Sequence, residues 1–343
     1  MAGRRDPVER AAEEDEDLYD VATWERRTAL DRFAALVYRL VVLAGRVAVV
    51  LAALGILVAQ FALGGLSAAA TDPRVVALVP LSVLPALALA AYVWRSNVTT
   101  RQPLALLVGT FLLGVLFAMF AAVVNGLFGA VFGLLGAIGT PLFFYLVVAP
   151  VEETVKLLAV RLHAFRSDHF ASVVDGAVYG AAAGLGFATI ENYLYIARGL
   201  QSASGGEQAL VGAVTGVAAV RALAGPGHVI YSAIAGYYLG LAKFNREQAG
   251  PILVKGLLLA AFVHGTYNVL VGVVPGLLGA TLAWADSPVV GYVGFVVAYD
   301  GLFGLVLYRK LRTYARAYRR ATEPAGEAGD PAAVRAGTGD ADP

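Results

Sequence analysis

Eight stretches of about 20 mostly apolar residues, the length a helix needs to cross a bilayer, alternate along the chain with short polar segments. They run from about Val37 to Leu63, Val75 to Trp94, Leu104 to Val124, Pro141 to Leu162, Val174 to Ile196, Pro226 to Lys243, Pro251 to Val274 and Val289 to Leu307. Two further pieces fit no full crossing. Residues 126–138 are Gly-rich and too short, which predicts a re-entrant or interfacial piece, and residues 208–224 are weakly apolar and end at Arg221, which predicts a connecting amphipathic helix. Pro150 is expected to kink the fourth span. Gly176, Gly180 and Gly184, spaced at intervals of four, are expected to let the fifth approach a neighbour closely. The pattern predicts an all-α, polytopic helical membrane protein with about eight transmembrane helices.

Composition agrees: 59% of residues are hydrophobic and the mean hydropathy is +0.70, against about 45–50% apolar residues in soluble domains. A net charge of +1, with basic residues spread between spans, predicts no nucleic-acid partner. Cysteine is absent, which excludes disulfides, thiolate-ligated metal centres and a thiol nucleophile. Residues 1–35 mix arginines with the acidic run Glu13 to Asp17 and lack the early apolar stretch of a signal peptide, so they are read as a polar cytoplasmic arm. Residues 321–343, rich in Gly, Ala, Pro and acids, are read as a disordered tail. With eight crossings, Arg95, Arg101, Arg161, Arg166, Lys243, Arg246 and the cluster Arg309 to Arg320 fall on one side and only Arg74, Arg198 and Arg221 on the other. The excess of Lys and Arg in short cytoplasmic loops then places both termini in the cytoplasm.

Against this background the ionisable groups inside spans stand out, because charge at membrane depth is costly and marks function by default. The segment APVEETVKLLAVRL holds Glu152, Glu153 and Lys156, spaced so that on a helix the ammonium reaches either carboxylate. Glu191 lies in FATIEN, His228 in GPGHVIYSAIAG, and His264 and Asn268 in HGTYN. Singly, each has a structural explanation: a buried ion pair, a hydrogen-bonded core histidine, an asparagine bridging helices. Jointly, three glutamates and two histidines on four consecutive membrane helices point to a site. His163 and His169 fall in a loop and are read as surface residues. At 1.5 Å per residue, Glu152 lies about 17 Å, Glu191 about 25 Å and His264 about 20 Å along their spans, with His228 near the outer end of its own. All four are therefore expected between the bilayer centre and the outer surface.

These motifs resemble a known family. EETVK at 152–156 is similar to the Glu-Glu-x-x-Lys of the PrsW-type intramembrane proteases, relatives of the CPBP superfamily of CAAX prenyl endopeptidases. FATIE at 187–191 resembles their Phe-x-x-x-Glu, and the His228 helix and HGTYN resemble their later histidine motifs, over about residues 141–270. Asn268 stands where some relatives have Asp. The resemblance implies a CPBP-like catalytic helix core at 139–274, preceded by transmembrane helices at 36–138 and followed by a last helix and basic juxtamembrane segment at 275–320. It implies hydrolysis of a peptide bond in a membrane-embedded protein or peptide, such as an anti-sigma factor. It further implies a catalytic set of Glu152, Glu153, Glu191, His228, His264 and Asn268, with Lys156, Phe187 and Arg221 supporting.

Two mechanisms stay open. In one, Glu152 or Glu153 activates water without a metal while the histidines orient it or act as acid. In the other, His228, His264 and Glu191 bind zinc and a second glutamate is the base. The metal-free form is preferred, since the HExxH helix of zinc proteases is absent. Two non-enzymatic readings use the same residues: a proton-coupled transporter, and a catalytically silent protein that binds membrane partners. The lack of paired broken helices or an inverted repeat counts against the transporter.

Overall fold

The computed structural model describes Asp17 and residues 27–63, 70–99, 101–281 and 288–322. Most of the predicted N-terminal arm and the tail beyond residue 322 lie outside the described residues. The chain forms two units, Met1–Ala52 and Ala53–Pro343. The first contains the opening turns of α1 (Ala29–Leu63). That helix begins before the expected Val37 because Thr28 and Asp31 cap it reciprocally, the Thr28 amide donating to Asp31 Oδ2 (2.7 Å) and the Asp31 amide to Thr28 Oγ1 (3.1 Å).

The second unit holds the site. Its helices are α2 (Pro73–Arg95), α3 (Leu104–Gly133), α4 (Gly139–Phe143), α5 (Ala149–Leu162), α6 (Val173–Ser202), α7 (Glu207–Phe244), α8 (Ala249–Leu270), α9 (Val274–Thr281) and α10 (Pro288–Thr322). Seven helices among the described residues are long and apolar enough to cross a membrane: α1, α2, α3, α6, α7, α8 and α10. The chain is an all-α, polytopic integral membrane protein. The expected fourth span, Pro141 to Leu162, is not among these seven; the chain there is a continuous helical run from Gly139 to Leu162, divided by a π-turn at Phe144–Val148. Pro150 has no N–H to offer the Leu146 carbonyl, and just before it the Ala149 amide reaches back five residues to Phe144 O.

Two expectations are corrected. Residues 126–133 are the last two turns of α3, and the chain reverses only after Gly136, whose φ of 62° needs a glycine. Residues 208–224 are the first half of one 38-residue helix, α7, which runs through Pro226. Proline is tolerated inside membrane helices because neighbouring helices and local adjustments compensate the lost bond.

Helix α6 is the centre of the bundle: 20 of its 30 residues are buried, against 6 of 30 in α3 and 18 of 38 in α7. It can sit there because it is thin. A Cβ on Gly180 would run into Ser232 O of α7, and one on Gly186 into Phe111 O of α3. Backbones therefore touch on two sides, as small residues allow in membranes. One end of the bundle gathers the loops after α2 and α5. Asn97 and Gln102 donate to the buried Asp175 (2.7 and 2.5 Å), which also caps α6 with Ser172, and Lys243 donates to the Phe165 and Phe170 carbonyls (both 2.7 Å). This end carries Arg95, Arg101, Arg161, Arg166, Lys243 and Arg246.

Candidate active site

On α5, Glu152 and Glu153 are adjacent and so point about 100° apart. Glu153 turns into the bundle and is fully buried. Its Oε1 accepts from Lys156 Nζ (2.7 Å) and His264 Nδ1 (2.9 Å), and its Oε2 from Ser232 Oγ (3.3 Å). Lys156 donates again to His228 Nδ1 (2.9 Å) and lies 4.2 Å from the centre of the Phe187 ring. Because Lys156 donates to Nδ1, the ring proton of His228 sits on Nε2 and points at Glu191 Oε2, 2.8 Å away. Arg221 completes that arm, donating to Glu191 Oε2 (2.5 Å) and Asn192 Oδ1 (2.9 Å). Asn192 is anchored in turn on Ser82 of α2 (3.0 Å).

Glu152 faces the other way, into a cavity of about 940 Å³ lined by α3 to α8 and by Tyr292 of α10. Asn125 Nδ2 donates to its Oε1 (3.1 Å), whereas its buried Oε2 meets no hydrogen-bond donor among the described residues. The basic groups within 4 Å of Oε2 are His264 Nε2 at 3.7 Å and Lys156 Nζ at 3.9 Å. Since His264 spends its Nδ1 proton on Glu153, its Nε2 presents a lone pair. Two electron-rich atoms thus confront each other across the cavity wall, a place for a water, a proton or a cation.

Three of these donors are also spaced as metal ligands would be, although His228 would have to give up its bond to Lys156 or to Glu191 to bind one. Glu152, His228 and His264 each offer an atom within 4.8 Å of the others, and a carboxylate behind a ligating histidine, as Glu153 stands behind His264, is the usual support of such a ligand. This grouping differs from the expected His228, His264 and Glu191: Glu152 stands in place of Glu191, whose Oε2 is held by Arg221 and His228.

The PrsW family intramembrane metalloprotease model matches residues 102–301, well over half of the chain and every residue that lines the cavity. The chain belongs to this PrsW family. Among curated relatives, Protease PrsW of Geobacillus kaustophilus is 32% identical over 215 residues, 61% of this chain and 88% of its own. Protease PrsW of Halalkalibacterium halodurans is 31% identical over 194 residues (56% and 82%), and that of Bacillus subtilis 28% over 195 (56% and 81%). No solved structure matches. Membership in the PrsW family makes the chain a protease of the membrane interior, whose substrates are embedded in the bilayer.

The structure brings Glu152, Glu153, Lys156, Glu191, His228 and His264 into one network, with Phe187 and Arg221 in contact with it and Asn268 on the cavity wall beside Tyr267. Of the loop histidines, His169 is exposed, but His163 is half-buried with its ring against Gly109 of α3. Sequence reading misses Asn125, Ser232 and Asn192, which are single neutral polar residues in apolar helices and carry no spacing signal. It also misses Asp300 of α10, a lone carboxylate in an apolar span and so detectable in principle.

Proposed function

We propose that this PrsW family member cuts its substrate with a water molecule held between Glu152 and His264. The observation that supports this most is the bare Glu152 Oε2, buried, aimed into the cavity and 3.7 Å from His264 Nε2. Glu152 takes a proton from the water as its oxygen attacks the scissile carbonyl carbon, then passes that proton to the departing amide nitrogen. His264 Nε2 accepts the second hydrogen of the same water and orients it, its ring held by Glu153. Asn268, one turn beyond His264 on the cavity wall, supplies an amide N–H to the developing oxyanion. Glu153 and Lys156 serve the site from behind, and Glu191 with Arg221 fixes His228.

A second reading has support in the three donors clustered within 4.8 Å. Glu152, His228 and His264 would hold a zinc-like ion, which supplies Lewis-acid polarisation of the carbonyl and a more acidic water. Against it stands Lys156, whose ammonium is already 2.9 Å from His228 and 3.9 Å from Glu152. Two unit charges 4 Å apart repel by about 4 kcal/mol at an effective dielectric of 20, and a divalent ion doubles that.

The substrate is read as a single-span membrane protein or peptide, such as an anti-sigma factor, and the basic end of the bundle as cytoplasmic. Purified protein incubated with a panel of single-span peptides is expected to release defined fragments, and the Glu152→Gln protein to release them at least about 10²-fold more slowly. Release at the parental rate from Glu152→Gln would overturn the role given to Glu152.

A further inference from the structure

Two adjacent residues of α10 reach two different helices. Tyr299 donates its hydroxyl to Val263 O of α8 (2.8 Å), the residue before His264. Asp300 Oδ1 accepts from Tyr231 OH of α7 (2.7 Å), three residues beyond His228. Neighbours on a helix diverge by about 100°, so this pair can grip the two histidine helices at once. Tyr231 is also part of the site wall: its ring centre lies 5.5 Å from that of His264. Its hydroxyl passes over Gly227, where a Cβ would come within 2.9 Å of the oxygen, and so is free to reach α10.

Packing alone does not account for Asp300. Rings of Tyr267, Phe295 and Tyr299 lie 5.5–5.8 Å apart and already join α8 to α10 without any charge. Yet Asp300 is only 7% exposed, and its Oδ2 meets no hydrogen-bond donor among the described residues. A carboxylate so placed is costly in a membrane and is kept where it serves the function. The bond it makes is to the tyrosine packed on His264.

We infer that Asp300 and Tyr299 are positioning residues for the hydrolysis. Asp300 holds Tyr231 against His264, and Tyr299 holds the α8 backbone beside it. Together they set His264 opposite Glu152 and 5.2 Å, centre to centre, from His228. The inference rests on the reading of Glu152 and His264 as the pair that holds the water.

The test uses full-length protein in lipid nanodiscs, with Asp300→Ala, Asp300→Asn, Tyr231→Phe and the Asp300→Ala/Tyr231→Phe double variant. Asp300→Ala is expected to lower kcat about tenfold with KM within twofold. Asp300→Asn, which keeps an acceptor oxygen for Tyr231, is expected to restore most of that rate. Because the two residues act through one bond, the double variant should lose no more than either single one. A second readout needs no turnover: only four histidines are present, so ¹⁵N-histidine spectra can follow the His264 ring nitrogens. Their signals are expected to move in Asp300→Ala and Tyr231→Phe and to return in Asp300→Asn. Unmoved His264 signals in Asp300→Ala, or additive losses in the double variant, would overturn the inference. Moved signals in a parent protein that cuts no peptide would uphold the positioning and defeat the proposed chemistry instead.

Discussion

Glu152 and His264 approach each other to 3.7 Å, carboxylate oxygen to imidazole nitrogen, each held from its far side by another residue. Asn125 takes the other Glu152 oxygen, and Glu153 takes the other His264 nitrogen. The two atoms that remain point into the same cavity, and the consequences can be measured.

Substituting the two glutamates should give different failures. Glu152→Gln keeps the shape of the side chain but not its basicity, so turnover is expected to fall by roughly 10²–10⁴, the usual share of a general base, with thermal unfolding unchanged. Glu153→Gln leaves Lys156 buried without its carboxylate, and breaking a buried pair costs about 3–5 kcal/mol. It should lower both the unfolding temperature and the rate. Rate and melting measured on the same samples decide; parental turnover in Glu152→Gln contradicts the mechanism.

Metal content separates the two chemistries. Protein purified without added metal is expected to carry much less than one zinc per chain, and chelators are expected to leave cleavage unchanged. Stoichiometric zinc that disappears in His264→Ala, with activity lost on chelation and regained with zinc, would establish the second reading.

Orientation follows from the basic end of the bundle, where the loops after α2 and α5 meet the end of α7. Both termini are expected in the cytoplasm. A reporter active only outside the cytosol, fused after Arg320, should be silent and should become active when fused in the connection between α6 and α7. The reverse pattern would invert the topology.

Helix approach in the centre should tolerate no side chain. Gly180→Val pushes α6 off the Ser232 carbonyl of α7, an overpacking that costs typically about 1–3 kcal/mol, and it moves the helices of Glu191 and His228 apart. Loss of both stability and cleavage is expected. Gly301→Ala, which meets nothing within 4 Å, is the control and should gain slightly from a stiffer unfolded chain. Equal melting of the two variants would show that α6 is not so tightly seated.

Much of the fold is legible in the chain because a bilayer imposes its own rule: every spanning backbone must satisfy itself, so long apolar runs are helices. The rule weakens where punctuation is ambiguous. Pro226 and the glycines around it look like a boundary, yet α7 passes through them, since proline removes one bond and a long helix with packed neighbours survives the loss. Residues 126–133 look too short to cross alone, yet they continue α3 without a break.

The sequence by itself determined that the chain is helical and membrane-embedded, and which ionisable groups lie at depth, because hydropathy and motif spacing are properties of each segment alone. Tertiary structure decided what each group does. Only the rotation of α5 among its neighbours sends Glu153 to Lys156 and His264 while Glu152 meets the cavity, and only the seating of α7 brings Arg221 onto Glu191. Asn125 and Asp300 join from α3 and α10, far away in the chain. Spacing along one helix tells which residues share a face; which face meets which partner is settled by packing between helices, and no single segment encodes it.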